Sequence, residues 1–111
     1  MNAEPSKAAK RVGPPTVKSV TIGEVRYKAI HWGRKRGFGQ NGGYIAAVDP
    51  GSREELWTLK VYDVSYDNRR EEDVQDVFIQ SMKADGRHLI VKDEDDRRYS
   101  VNVDSKVVTP L

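Results

Sequence analysis

The sequence predicts an all-β fold: a small antiparallel meander of about seven short strands, closed as a barrel or packed as a sandwich. Three observations predict it. Short runs rich in Val, Ile, Tyr and Thr recur at roughly ten-residue spacing from Thr16 onward. Turn formers separate them, namely Gly23-Glu24, Asp49-Pro50-Gly51-Ser52 and Asp85-Gly86. Within most runs apolar and polar side chains alternate with period two, as a half-buried strand requires. At 111 residues the chain has room for one core, which needs no metal or disulfide staple.

The elements follow in order. Residues 1–15, MNAEPSKAAKRVGPP, are mostly small and charged and end in Gly-Pro-Pro, so they are expected to form a disordered basic tail. Residues 16–111 are then a single small β domain. TVKSVTI (16–22) and EVRYKAIHW (24–32) make the first hairpin. In the second run Val25, Tyr27 and Ala29 share one face, whereas Ile30 and Trp32 take the other. That change of phase predicts a bulge near Ala29-Ile30, because one inserted residue swaps the faces. GYIAAVD (43–49) is a short apolar strand, followed by the DPGS turn. EELWTLKVYDV (54–64) sets Trp57, Leu59 and Val61 on one face and Leu56 and Tyr62 on the other. Covered on both sides, it is the predicted centre of the sheet.

Residues 71–85, EEDVQDVFIQSMKAD, admit two readings. An Asn68 cap, acids in the first turn and apolar residues at 74, 77, 78 and 82 fit a helix, which would make the fold α+β with one helix near 70–84. A helix would leave Ile79 in solvent, and the β-rich context favours a strand over 75–83 after a polar loop at 65–73. The C-terminal part is a hairpin of RHLIVKD (87–93) and RRYSVNVD (97–104) around an acidic tip, and Val107-Val108 leave room for a short last strand.

The segment IAAVDPGSREELW resembles the strand-turn-strand hairpin in blades of quinoprotein-type β-propellers, through Ala47, Val48, Asp49, Ser52, Leu56 and Trp57. Arg53 stands where that hairpin usually has a turn glycine. The resemblance covers about thirteen residues and implies antiparallel hairpins; a propeller needs at least four blades, and it implies no function or cofactor here.

Charge is uneven. Residues 1–40 carry nine Lys/Arg against two acids, and residues 41–111 carry ten against fifteen. The two parts either attract each other within the fold, or the first meets an anionic partner. The absence of cysteine excludes thiol catalysis, disulfides and Cys-based zinc sites. The opening residues lack the apolar core of a secretory signal, and the longest plainly apolar run, Ile45-Ala46-Ala47-Val48, is far short of the ~20 residues of a membrane span. A soluble cytoplasmic protein without a membrane partner is therefore expected.

The most suggestive stretch is HWGRKRGFGQNGGY (31–44), with three adjacent cations, five glycines and three aromatics besides its histidine. Arg34, Lys35, Arg36 and Phe38 are the candidate binding residues: cations to track a phosphate backbone, and Phe38 to stack on a base. Trp32 and Tyr44, at strand ends, are expected to anchor the core, so that Phe38 is the free aromatic on a long outward loop. Neither the Walker spacing nor the dinucleotide fingerprint occurs in it. His31 and His88 have no metal-ligand spacing, the acids at 93–96 lack the glycine of a calcium loop and read as a solvated hairpin tip, and no serine has a nucleophile-elbow context. No catalytic residue, metal or cofactor is expected. The resulting expectation is a non-catalytic binding module for a protein partner, as monomer or homodimer. The alternative is single-stranded nucleic-acid or RNA binding through the basic Gly-rich loop 33–43.

Overall fold

The computed structural model describes residues 13–66 and 75–111. β1 (Val20–Ile22), β2 (Val25–Ile30), β3 (Tyr44–Val48) and β4 (Glu55–Lys60) form one antiparallel sheet in chain order. β5 (Ile79–Asp85), β6 (His88–Asp93), β7 (Arg98–Asn102) and β8 (Val108–Pro110) form a second, also in chain order. Among the described residues there is no α-helix, and no helix is long and apolar enough to cross a membrane. The sheets do not close into a barrel; they pack face to face as a sandwich, with β1 beside β5.

Period-two alternation builds the shared core. Tyr27, Ile45 and Ala47 project from the first sheet and Leu89, Val91 and Val101 from the second, all buried in one cluster. Trp57 joins at its border, tilted against Tyr27 at 5.9 Å and topped by the Lys106 ammonium at 4.9 Å. Gly23 and Gly86, at φ of 64° and 61°, turn the tight hairpins β1–β2 and β5–β6 through the left-handed region.

Several expectations are corrected. β4 is an edge strand, and the inner strands are β2 and β3. The pairing steps from Ala47↔Trp57 to Val48↔Glu55, so Leu56 is the extra residue of a bulge and stands 48% exposed. No bulge occurs at Ala29-Ile30, where the β2–β3 register runs unbroken from Arg26↔Val48 to Ile30↔Tyr44. The phase change instead marks a second small core on the outer face of the first sheet: Ile30, Tyr44 and Ala46, flanked by Phe38 and Val48.

The strand expected at 75–83 begins at Ile79, because Asp76 and Val77 are held sideways. The Asp76 carboxylate accepts from Asn41 Nδ2 at 3.1 Å and Tyr66 OH at 2.5 Å, and the Val77 carbonyl accepts from Tyr62 OH at 2.7 Å. A helix over 75–85 is excluded; the proposed Asn68 cap, residues 67–73 of the polar loop and the greater part of the expected tail, residues 1–12, lie outside the described residues.

The acidic tip is only half solvated. Asp93 is 1% exposed; its Oδ1 accepts the N–H groups of Asp95 and Arg97 at 2.8 and 3.0 Å, and its Oδ2 accepts Tyr99 OH at 3.0 Å. Glu94 exchanges two bonds with the backbone of Phe78. Asp95 and Asp96 keep the expected surface pairing, with Arg97 and Lys92. Burial, then the Asp93 bond, pushes the Tyr99 phenol up to about 12, so it stays a donor at all ordinary pH.

Phe78 is 1% exposed and bridges the sheets, so Phe78→Ala is expected to lower the free energy of unfolding by ~3–5 kcal/mol. Leu56→Ala at the exposed bulge should change it by under ~0.5 kcal/mol; urea melts of the two variants compare them directly.

A candidate anion-binding groove on the outer face of the first sheet

Side chains directly opposite in a sheet share a face, so the register dictates what the outer face presents. One row is Arg26, Val48 and Glu55, and the next is Lys28, Ala46 and Thr58. The third begins with Ile30 and Tyr44. The cations of β2 thus rise beside an apolar floor of Ile30, Ala46 and Val48. The segment after β2 and the turn after β3 wall the ends, giving a solvent-open groove of about 660 Å³. Arg26, Lys28, Lys35, Arg36 and Arg53 line it with one acid, Glu55. Glu55 bonds the Arg36 guanidinium. Among the described residues no carboxylate pairs with the other four cations.

The glycine-rich segment is not an outward loop. Residues Gly33–Arg36 form a single 3-10 turn, ended by Gly37 at φ 88°. Phe38 N–H then bonds Gly33 O and Gly33 N–H bonds Asn41 O, both at 2.9 Å, closing the segment on itself. Gln40, 5% exposed, fastens it: Nε2 donates to Gly42 O at 2.9 Å and Tyr62 O at 2.8 Å, and Oε1 accepts Val64 N–H at 2.9 Å. The glycines serve close approach more than mobility. A Cβ on Gly33 would stand 2.3 Å from Gln40 O, and one on Gly42 2.4 Å from Val77 O.

The structure divides the four predicted residues. Lys35 and Arg36 line the groove. Arg34 lies elsewhere, its guanidinium 4.8 Å from the centre of the Tyr66 ring. Phe38 is half-buried against Tyr44, with ring centres 4.5 Å apart, and is no free stacking platform. The expected roles of Phe38 and Trp32 are exchanged: Trp32, 44% exposed, is the aromatic at the groove. The reason is the outer-face core, which needed an aromatic lid and took Phe38.

Arg26, Lys28 and Arg53 were missed. Arg26, Lys28 and Ile30 at period two were the available signal, since a strand whose other face is Tyr27 and Ala29 must present them together. Arg53 holds φ at 67° in the turn after β3, where its N–H bonds Asp49 O at 2.7 Å while Asp49 Oδ1 accepts Gly51 N–H at 2.9 Å. A side chain there costs about 1–2 kcal/mol that a glycine would not.

His31 closes one side of the groove. Its Nε2 donates to Pro15 O at 2.8 Å, its ring meets the Phe78 ring edge-on, and Nδ1 is buried without a hydrogen-bond partner among the described residues. Burial holds its pKa below the ordinary imidazole value, against the opposing effects of the Pro15 bond and Glu94. His88 lies exposed in the second sheet, and among the described residues no cluster of His, Asp or Glu can hold a metal ion. No protein-family model, curated protein or solved structure matches the chain, so the groove's chemistry is read from its own residues.

Gly33→Ala is expected to destabilise the domain by at least ~1 kcal/mol, whereas Gly39→Ala, with nothing within 4 Å of its Cβ position, should be near neutral in thermal melts. His31 gives a pH signature. Because its folded-state pKa is the lower one, the unfolded chain takes up the proton first; its contribution is intact above pH ~7 and declines as pH falls through ~6.5. The loss of melting temperature between pH 7.5 and 5.5 should be smaller in His31→Gln than in the parent.

Proposed function

We propose that this domain is a non-catalytic binding module whose ligand is anionic and docks on the outer face of the first sheet. The observation that carries the reading is the groove itself, where five cations surround an apolar floor and only Arg36 has a carboxylate partner among the described residues. Convergent cations raise each other's energy, and an incoming anion relieves that repulsion while gaining charge-assisted hydrogen bonds. Arg53 adds weight: the chain retains a long basic side chain at a strained backbone position on the groove wall, where glycine would be the relaxed choice.

The engagement of the groove's acid–base groups supports a binding role over catalysis. His31 donates one ring nitrogen to Pro15 and buries the other, and Glu55 is bonded to Arg36. A protein partner, on this reading, presents an acidic segment. A second copy of the chain is disfavoured at this face, because like-charged grooves would meet.

Heparin, a polysulfated probe, tests the reading without choosing a partner class. Lys28→Ala and Arg53→Gly should each elute from heparin resin at lower salt than the parent, while Lys83→Ala, removing the same charge from the second sheet, should elute close to the parent. Arg53→Gly should also stabilise the fold by ~0.5–1 kcal/mol, the relieved strain less the added chain entropy. Equal retention of all three variants and the parent would end the assignment of the groove.

A further inference from the structure

We infer that the anionic ligand is a single-stranded nucleic acid, with phosphates along Arg26, Lys28 and Arg53 and a base resting on the Trp32 indole. This deepens the groove reading above and rests on it.

Three features favour this occupant over an acidic peptide. First, Trp32 is a large apolar ring left 44% exposed in a chain that buries its other strand-end aromatic, Tyr44. It is also held in place: the Phe78 ring meets it edge-on at 5.7 Å, and the 3-10 turn starts at the next residue. A preset platform loses little freedom on binding, and every base has a face to offer it, whereas Asp and Glu side chains have none. Lys35 Nζ lies over the same ring, 5.6 Å from its centre, so a base that stacks on that face takes the place of the ammonium, which is then free to meet the adjoining phosphate.

Second, Arg26 and Lys28 are two residues apart on one strand, hence ~6.8 Å apart along it, a step comparable to that between phosphates of an extended single strand. Three of the five cations are arginines, whose planar forks suit phosphate oxygens. Third, the apolar floor of Ile30, Ala46 and Val48 lies beside the cations rather than apart from them. Sugars and bases can cover that floor only if they are unpaired. A duplex turns its phosphates outward and keeps its base faces stacked, so it satisfies the cations and leaves both floor and indole uncovered.

The test uses the full chain carrying Trp57→Phe, which leaves Trp32 as the sole tryptophan. Fluorescein-labelled twelve-residue single strands of mixed sequence, as RNA and as DNA, are titrated at ~50 mM salt beside the duplex and a polyglutamate peptide of equal charge. Expected are quenching of Trp32 emission, preference for the single strand over both competitors, and a log–log salt slope near −2 for ~3 phosphate contacts. In the two-tryptophan parent, Trp32→Ala should weaken single-strand binding about ten-fold and Trp32→Phe should restore most of it. Comparison of RNA and DNA identifies which sugar is preferred.

Tighter polyglutamate binding, equal duplex binding, or single-strand binding without change in Trp32 emission would overturn the nucleic-acid assignment while leaving the anionic groove standing. Failure of every polyanion to bind would overturn both. Melting curves of each variant establish that the comparison is between folded proteins.

Discussion

The buried amide of Gln40 is the constraint on which the arrangement of this domain turns. Its nitrogen holds the carbonyls of Gly42 and Tyr62, and its oxygen holds the N–H of Val64, so three backbone groups from two separate segments are satisfied by one side chain. Buried backbone groups without partners are costly, and a segment that leaves a sheet edge has few other ways to meet that demand. Once Gln40 is in place, the glycine-rich segment cannot extend into solvent. It folds over the first sheet, sets Phe38 on Tyr44, and leaves Lys35 and Arg36 beside the cations of β2.

The second consequence is that β3 is buried from both sides. Ile45 and Ala47 face the second sheet, and Tyr44 and Ala46 face the clasped segment. The run Ile45-Ala46-Ala47-Val48 is thus apolar throughout for a physical reason: an inner strand covered on both faces has no polar row. The two alanines allow close approach from either side. Beside that cover, the outer face keeps an open strip that carries Arg26 and Lys28 next to Ile30, Ala46 and Val48.

The second sheet is pinned differently. Asp93 at the end of β6 gathers two backbone N–H groups of its own turn and the Tyr99 phenol, whose ring stacks on Tyr62 with centres 5.0 Å apart and planes at 19°. Tyr62 in turn bonds Val77 O, and Gln40 bonds Tyr62 O. One chain of contacts therefore runs from the acidic turn of the second sheet to Gln40 in the glycine-rich segment.

What the sequence by itself determined is the list of strands and their hairpins, because period-two patterning and turn residues act within a few positions and need no tertiary partner. It also determined that Arg26 and Lys28 share a face, as strand geometry requires; that Ile30 joins them was decided by the unbroken pairing of β2 with β3. Which strand is central, which aromatic is buried and whether the glycine-rich segment projects were decided only by tertiary structure. Leu56 was turned outward by a bulge that depends on its partner strand, and Phe38 and Trp32 exchanged roles according to where Gln40 tied the chain down. Asp76 and Asp93, ordinary acids in the sequence, became structural because the half-buried phenols of Tyr66 and Tyr99 reached them. Such outcomes rest on contacts between residues far apart along the chain, and local patterning carries no record of those.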